Sequence, residues 1–167
     1  MKTLVTWLVC IVWLLPAMAG ADQRPATGKL LVATERVQGE LFAQTVILLL
    51  EYDNDGAMGL VVNRPTELEP EEFLADIDEI SGYSGKLYWG GPVRMNSIRA
   101  LLRTDTPPEV AQAIVDSVYQ VPVDDSLMDA ASYSSDLRLY IGYAGWAAGQ
   151  LDREMALGSW HVVAASD

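Results

Sequence analysis

Cysteine is almost missing: Cys10 is the only one among 167 residues, and it lies inside an apolar stretch near the start. A single cysteine closes no disulfide within the chain, so the fold must be held by packing alone. Histidine is equally scarce. His161 is the only one, which leaves no histidine-rich metal centre and one candidate for a Ser-His-Asp arrangement. It stands in a predicted strand between Trp160 and Val162, reads first as a packed or edge-exposed strand residue, and has no Gly-x-Ser-x-Gly turn to accompany it. Basic residues are few, 11 Lys and Arg against 23 Asp and Glu, for a formal net charge of −12. They are scattered, without the clusters that release counter-ions from a polyanion, so direct nucleic-acid binding is disfavoured.

Nucleotide signatures are missing as well. Gly82 to Lys86 lacks the spacing of a phosphate loop, and Gly142, Gly145 and Gly149 do not match the dinucleotide pattern. Asp53-Asn54-Asp55-Gly56 imitates part of a calcium loop, but the closing position holds Val62 instead of a bidentate Glu. No metal and no cofactor is therefore expected.

What is present begins with the leader. Met1-Lys2 is a basic start, Leu4 to Leu15 is apolar apart from Thr6, and Pro16 precedes Ala17-Met18-Ala19-Gly20-Ala21, where two small-x-small triplets end at Ala19 and Ala21. This is the layout of a secretory signal peptide, so residues 1–21 are expected to be removed and residues 22–167 to form the exported, periplasmic domain with no stable membrane anchor. The alternative is an uncleaved inner-membrane anchor over residues 4–21, against which Pro16 and the cleavage triplets count. Cleavage removes the only cysteine and Lys2, taking the formal charge from −12 to about −13.

Along the domain, Lys29 to Ala33, Thr45 to Tyr52 and Ala57 to Val62 read as strands, the second built on a continuous apolar run and hence expected to be buried on both faces. The turn residues Asp53 to Gly56 make the last two a hairpin. A helix is predicted from about Glu67 to Ile80, opened by a capping box of Thr66 and Glu69, with seven carboxylates between Glu67 and Glu79 on its solvated face. Leu87 to Trp89 and Ser97 to Leu102 read as strands. Thr106-Pro107-Pro108-Glu109 reads as the start of another helix, with Val110, Ile114 and Val118 as its apolar side. A short helix over Ser126 to Ala131, a strand over Leu137 to Ile141, a helix over Ala148 to Leu157 stopped by Gly158, and a strand over Trp160 to Ala164 complete the pattern. This irregular alternation with an early hairpin predicts a mixed α+β domain. Gly142, Gly145 and Gly149 are expected to let the backbone turn or approach other backbone, with Tyr143 and Trp146 filling space.

Three segments together resemble the YqgE/AlgH family of bacterial proteins. They are Gly28 to Ala33 through Gly56-Ala57-Met58-Gly59-Leu60-Val61-Val62-Asn63-Arg64-Pro65, then Gly90-Gly91-Pro92-Val93, then Gly142-Tyr143-Ala144-Gly145-Trp146 with Gly149-Gln150-Leu151. The resemblance spans nearly the whole domain. It implies a single compact α+β domain whose mixed, branched β-sheet is folded into a barrel-like shape with flanking helices. It carries over no catalytic residues and no cofactor; some members are named as regulators, with a link to alginate production. Arg36 to Phe42 departs from the family, whose members usually carry Asp-Pro before the Phe, and the leader argues against regulation by direct contact with DNA.

The residues best placed to meet where the glycine turns converge are Asn63, Arg64, Trp89, Tyr143, Trp146 and Gln150, each at or beside a strand end. In a binding groove Arg64 would hold a carboxylate or sulfate and the tryptophans would give flat contact. In a purely structural reading Asn63 caps a turn, Arg64 pairs with an acid and the aromatics fill the core. The shortage of titratable groups there favours a non-enzymatic binding or accessory module of the bacterial envelope, with a protein partner. The alternatives are a small-ligand-binding protein or hydrolase using Arg64, Gln150 and His161, and a regulator of gene expression as the family label suggests.

Overall fold

The computed structural model describes residues 23–73, 83–123 and 136–165. Nine strands follow in chain order: β1 (Lys29–Ala33), β2 (Val46–Tyr52), β3 (Gly56–Val61), β4 (Leu87–Trp89), β5 (Val93–Arg103), β6 (Gln112–Val115), β7 (Val118–Val121), β8 (Leu137–Ala147) and β9 (Trp160–Ala164). Helices among the described residues are two short ones, α1 (Pro70–Phe73) and α2 (Gln150–Ala156). The domain is thus mostly β, and the expected α+β class with flanking helices is met only approximately.

All nine strands belong to one sheet in the order β6-β7-β5-β8-β3-β2-β1-β9, with β4 added beside β8. The branch is at β8. Its first half pairs in parallel with β4, Leu87 opposite Leu139 and Trp89 opposite Ile141, and its last residues pair antiparallel with β3, Gly59 opposite Ala144 and Gly56 opposite Ala147. β5 runs antiparallel along the other side. At the fork the chains crowd: Gly90 donates its N–H to the Ile141 carbonyl, and Val61 donates to the carbonyl of Gly90. A Cβ on Gly91 would lie 2.2 Å from the Tyr143 carbonyl carbon, and one on Gly142 would lie 2.4 Å from the Gly91 oxygen. Gly142 also has φ +65°, which glycine adopts without penalty. Gly145 differs from the expectation. Its φ is not positive, it is exposed, and a Cβ there would meet only the Tyr143 ring edge at 3.3 Å and a Val93 methyl at 3.6 Å.

The sheet curls into a half-barrel. β1 and β6 are far apart in strand order, yet Gly28, just before β1, lies so near β6 that an added Cβ would be 2.5 Å from the Ile114 carbonyl oxygen. β2 is buried on both faces as expected. Ile47 and Leu49 join the core beneath α2 with Trp146, Leu151 and Trp160, whereas Leu48 and Leu50 face the inside of the curl with Leu60, Leu101 and Tyr140. A third cluster of Leu87, Leu102, Val121, Leu139 and Ile141 covers the other side of β8.

The helix expected after Thr106-Pro107-Pro108-Glu109 is absent. Pro108 accepts a turn hydrogen bond from Ala111, and the chain continues into the β6–β7 hairpin, closed at Asp116 with φ 45°. Val110, Ile114, Val115, Val118 and Val121 are β-branched, and their spacing suits a strand pair closed by an Asx residue as well as one helical face. Val110 is in fact 57% exposed. The capping box at Thr66 also fails. Its hydroxyl donates to the Leu87 carbonyl and so ties this segment to β4, and α1 begins four residues later. The rest of the helix predicted over Glu67 to Ile80, and the one over Ser126 to Ala131, lie outside the described residues. α2 and β9 fall close to expectation, with Gly149 (φ +65°) before α2 and Gly158 (φ +72°) after it.

Candidate functional site

Five of the six residues singled out in the sequence belong to one system around the core beneath α2. Asn63 accepts from the Val46 N–H through Oδ1 at 2.9 Å and donates through Nδ2 to the Gln44 carbonyl at 2.9 Å. Gln44 holds φ 60°, a conformation costly for a side chain larger than glycine, and Asn63 secures it. Arg64 donates to the Leu41 carbonyl at 2.7 Å and to the Ala43 carbonyl at 2.8 Å, and its guanidinium lies 5.3 Å from the centre of the Trp89 ring. Its partners are therefore carbonyls and an aromatic face instead of an acid. Trp89 packs on Phe42, Phe42 on Trp160, and Trp160 edge-on to Trp146, at centroid distances of 6.0, 6.3 and 6.1 Å.

This aromatic row ends on a carboxylate absent from the sequence reading. Glu154 accepts from the indole N–H groups of Trp146 at 2.9 Å and Trp160 at 2.8 Å, both through Oε2, and from Gln150 Nε2 at 2.9 Å through Oε1. Gln150 in turn accepts from the Ala147 N–H. The i,i+4 spacing of Gln150 and Glu154 on a predicted helix was the available signal. His161 stands exposed on β9, alternating with the buried Trp160 and Val162.

Arg64→Ala should remove two charge-assisted hydrogen bonds and the ring contact together. We expect a destabilisation of about 2 kcal/mol, read as a lower melting temperature with faster amide exchange in residues 41–45. An unchanged melt would show that Arg64 contributes little to stability.

Tyr143 lies on the other side, inside the curl, because the left-handed residue Gly142 interrupts the alternation of β8. There it meets a face not assembled in the sequence reading. Alternate pairs across β5 and β8 are Arg99–Tyr140 and Leu101–Arg138, with the Arg103 N–H bonded to the Asp136 carbonyl beyond them. Arg103 and Asp136 form an ion pair at 2.6 Å. Arg99 lies 5.4 Å from the Tyr143 ring centre, Arg138 lies 5.4 Å from that of Tyr88, and Tyr88 packs on Tyr140 at 5.5 Å. Arginines that look scattered in sequence thus share one concave face, because residues two apart in a strand point the same way. Burial pushes the Tyr140 hydroxyl up to about 12, partly offset by the charge of Arg138 and a hydrogen bond with it.

That shift has a consequence at high pH. With the folded value above the ordinary value of 10, the unfolded chain holds fewer protons between pH 10 and 12, so stability falls across that window. Tyr140 alone contributes a loss of at most about 3 kcal/mol. Melting temperatures should drop above pH 10, and Tyr140→Phe should flatten the slope.

Beside this face, on the inner side of the curl, lies a groove of about 270 Å³. Its walls are Leu30, Leu48, Val62, Leu101, Val115, Val118, Tyr140 and Ala165, with Arg103, Asp136 and Arg138 as its charged members. An apolar hollow with a few convergent polar groups is the usual form of a small-ligand site.

A half-barrel of one branched sheet, carrying an arginine–tyrosine face and an apolar groove, defines the class of this domain. The chain belongs to the AlgH-like family, whose sequence profile matches residues 30–167. It is 33% identical over 143 residues to a UPF0301 protein of Streptomyces avermitilis, covering 82% of this chain and 74% of the relative. It is 32% identical over 148 residues to one of Chlorobium luteolum, covering 86% and 77%. The solution structure of the AlgH protein from Pseudomonas aeruginosa is similar with a TM-score of 0.69 at 28% identity, covering 88% of this chain and 82% of that one. The crystal structure of protein DIP2367 from Corynebacterium diphtheriae shares the fold, with a TM-score of 0.72 at 24% identity over 89% and 80% of the two chains.

Proposed function

We propose that this protein is a non-enzymatic binding module of the bacterial envelope, exported through its N-terminal leader and binding its ligand or partner on the concave side of the half-barrel. The observation that carries the reading is the groove: it places apolar walls and guanidinium groups on the same inner face. By contrast, Arg64 and Gln150 make the internal hydrogen bonds described above, which ties them to stability first. The leader adds the compartment, through its basic start, apolar run and two cleavage triplets.

The test is recovery from envelope extracts. The natural protein should begin at Gly20 or Asp22 and should retain a stoichiometric companion that is lost from a Val118→Trp variant, whose new side chain fills the groove. Equal recovery by both proteins would remove the groove from the reading. An intact Met1 on a cytoplasmic protein would remove the envelope assignment.

A further inference from the structure

We infer that the groove takes a small apolar carboxylate, a medium-chain fatty acid, with its carboxylate on Arg138 and its chain along the aliphatic walls; this rests on the concave face being the binding face. Three observations select this occupant. The first is charge. In a chain of net charge −12, the groove has two guanidinium groups, Arg103 and Arg138, against one carboxylate, Asp136. Arg103 is already bridged to Asp136, while Arg138 rests on the Tyr88 ring with no carboxylate bridge to it among the described residues. A guanidinium has five N–H donors, so a ring contact and one hydrogen bond to Tyr140 leave donors for a carboxylate, which arginine can hold with two parallel bonds.

The second observation is the character of the walls. Six of the lining residues are Leu or Val, and the one ring among them, Tyr140, already packs against Tyr88. Aliphatic branches contact a flexible chain on all sides, whereas they offer a flat aromatic ligand no ring partner. The third is size. A hollow of about 270 Å³ equals roughly nine waters, which is room for a chain of roughly eight carbons and its headgroup. The β6–β7 hairpin contributes Val115 and Val118 to the walls. The same hairpin occupies the stretch that the sequence predicts to be helical.

Calorimetric titration of the purified full-length protein with octanoate, octanol and octylamine tests the inference. Octanoate should bind once per chain with a Kd between about 10 μM and 1 mM, and should tighten about threefold to fourfold per methylene from hexanoate to octanoate. Octanol should bind at least tenfold more weakly and octylamine not at all. Arg138→Gln should weaken octanoate at least tenfold while the protein stays folded, its melt lowered by no more than a few degrees because the side chain is exposed. Arg153→Gln, on α2, should change nothing. Methyl resonances of Leu48, Leu101 and Val118 should shift on titration, which locates the ligand even if a variant misfolds.

Equal affinity for octanol, or an unaffected Arg138→Gln protein, would overturn the carboxylate assignment. Binding of a peptide C-terminus or of duplex DNA to the same methyls, with no response to octanoate, would overturn the ligand class while leaving the binding-module reading intact. If octanoate shifts these methyls but Val118→Trp retains every envelope companion, the wider reading fails and the ligand assignment survives.

Discussion

A Gly142→Val protein should melt on the order of 10 °C or more below the parent. The backbone at Gly142 has φ +65°, and a Cβ there would stand 2.4 Å from the Gly91 oxygen and 2.8 Å from that of Val93. A β-branched residue meets both costs, the left-handed conformation and the overlap, for a total of about 3–5 kcal/mol. Neither neighbour can yield easily. Both oxygens belong to main chain at the place where β8 exchanges β4 for β3 as its partner, so relief requires opening the fork. Gly145→Val is the informative contrast. Although it stands three residues away in the same strand, its Cβ would meet side-chain atoms that can move by a few tenths of an ångström. It should cost about 1 kcal/mol or less. Equal effects at the two positions would show that crowding at the fork is not what selects glycine.

Glu154→Ala should be the second severe change. One carboxylate accepts two indole N–H groups and a side-chain amide, and Trp146 and Trp160 are only 7% and 5% exposed. Removing it strands two largely buried donors, a loss of about 3–4 kcal/mol. Besides the lower melting temperature, tryptophan emission should shift to the red as water reaches the indoles. Glu154→Gln keeps one acceptor oxygen and should fall between the two. A double-mutant cycle with Trp146→Phe should show coupling of at least about 1 kcal/mol; additive effects would mean that the hydrogen bond contributes nothing beyond packing.

Strands were legible wherever branched apolar residues ran together. β1, β4 and β9 coincide with their sequence readings, β2 starts one residue later than read, and β3 is shifted by one residue at both ends. β2 was recognisable as buried on both sides because Ile47 to Leu50 offers no polar face. The β6–β7 hairpin was not legible. Thr106-Pro107-Pro108-Glu109 satisfies the local rules for opening a helix, and only the demand for strands beyond β5 overrides it. Of the residues singled out, Asn63, Arg64, Trp89, Trp146 and Gln150 lie around the core beneath α2, whereas Tyr143 faces the inside of the curl. Phe42 and Trp160, which join the first five, come from other parts of the chain, and Glu154 from the same helix as Gln150.

The arginine–tyrosine face shows where sequence reading stops. Arg99, Leu101 and Arg103 alternate in β5 and Arg138 and Tyr140 in β8, so each strand announces a polar or aromatic face by itself. That these faces adjoin depends on the register of Arg99 with Tyr140, across more than thirty intervening residues, and on the curl that brings β6 against Gly28. Local chemistry in the sequence determined the strands, the glycine-dependent turns, the scarcity of thiol and imidazole, the acidic charge and the family. Tertiary structure alone decided which strand pairs with which, that β8 forks, and that three dispersed arginines meet beside an apolar groove. Propensity and capping act over a few residues, whereas strand register and sheet curvature are settled by the burial of both faces at once.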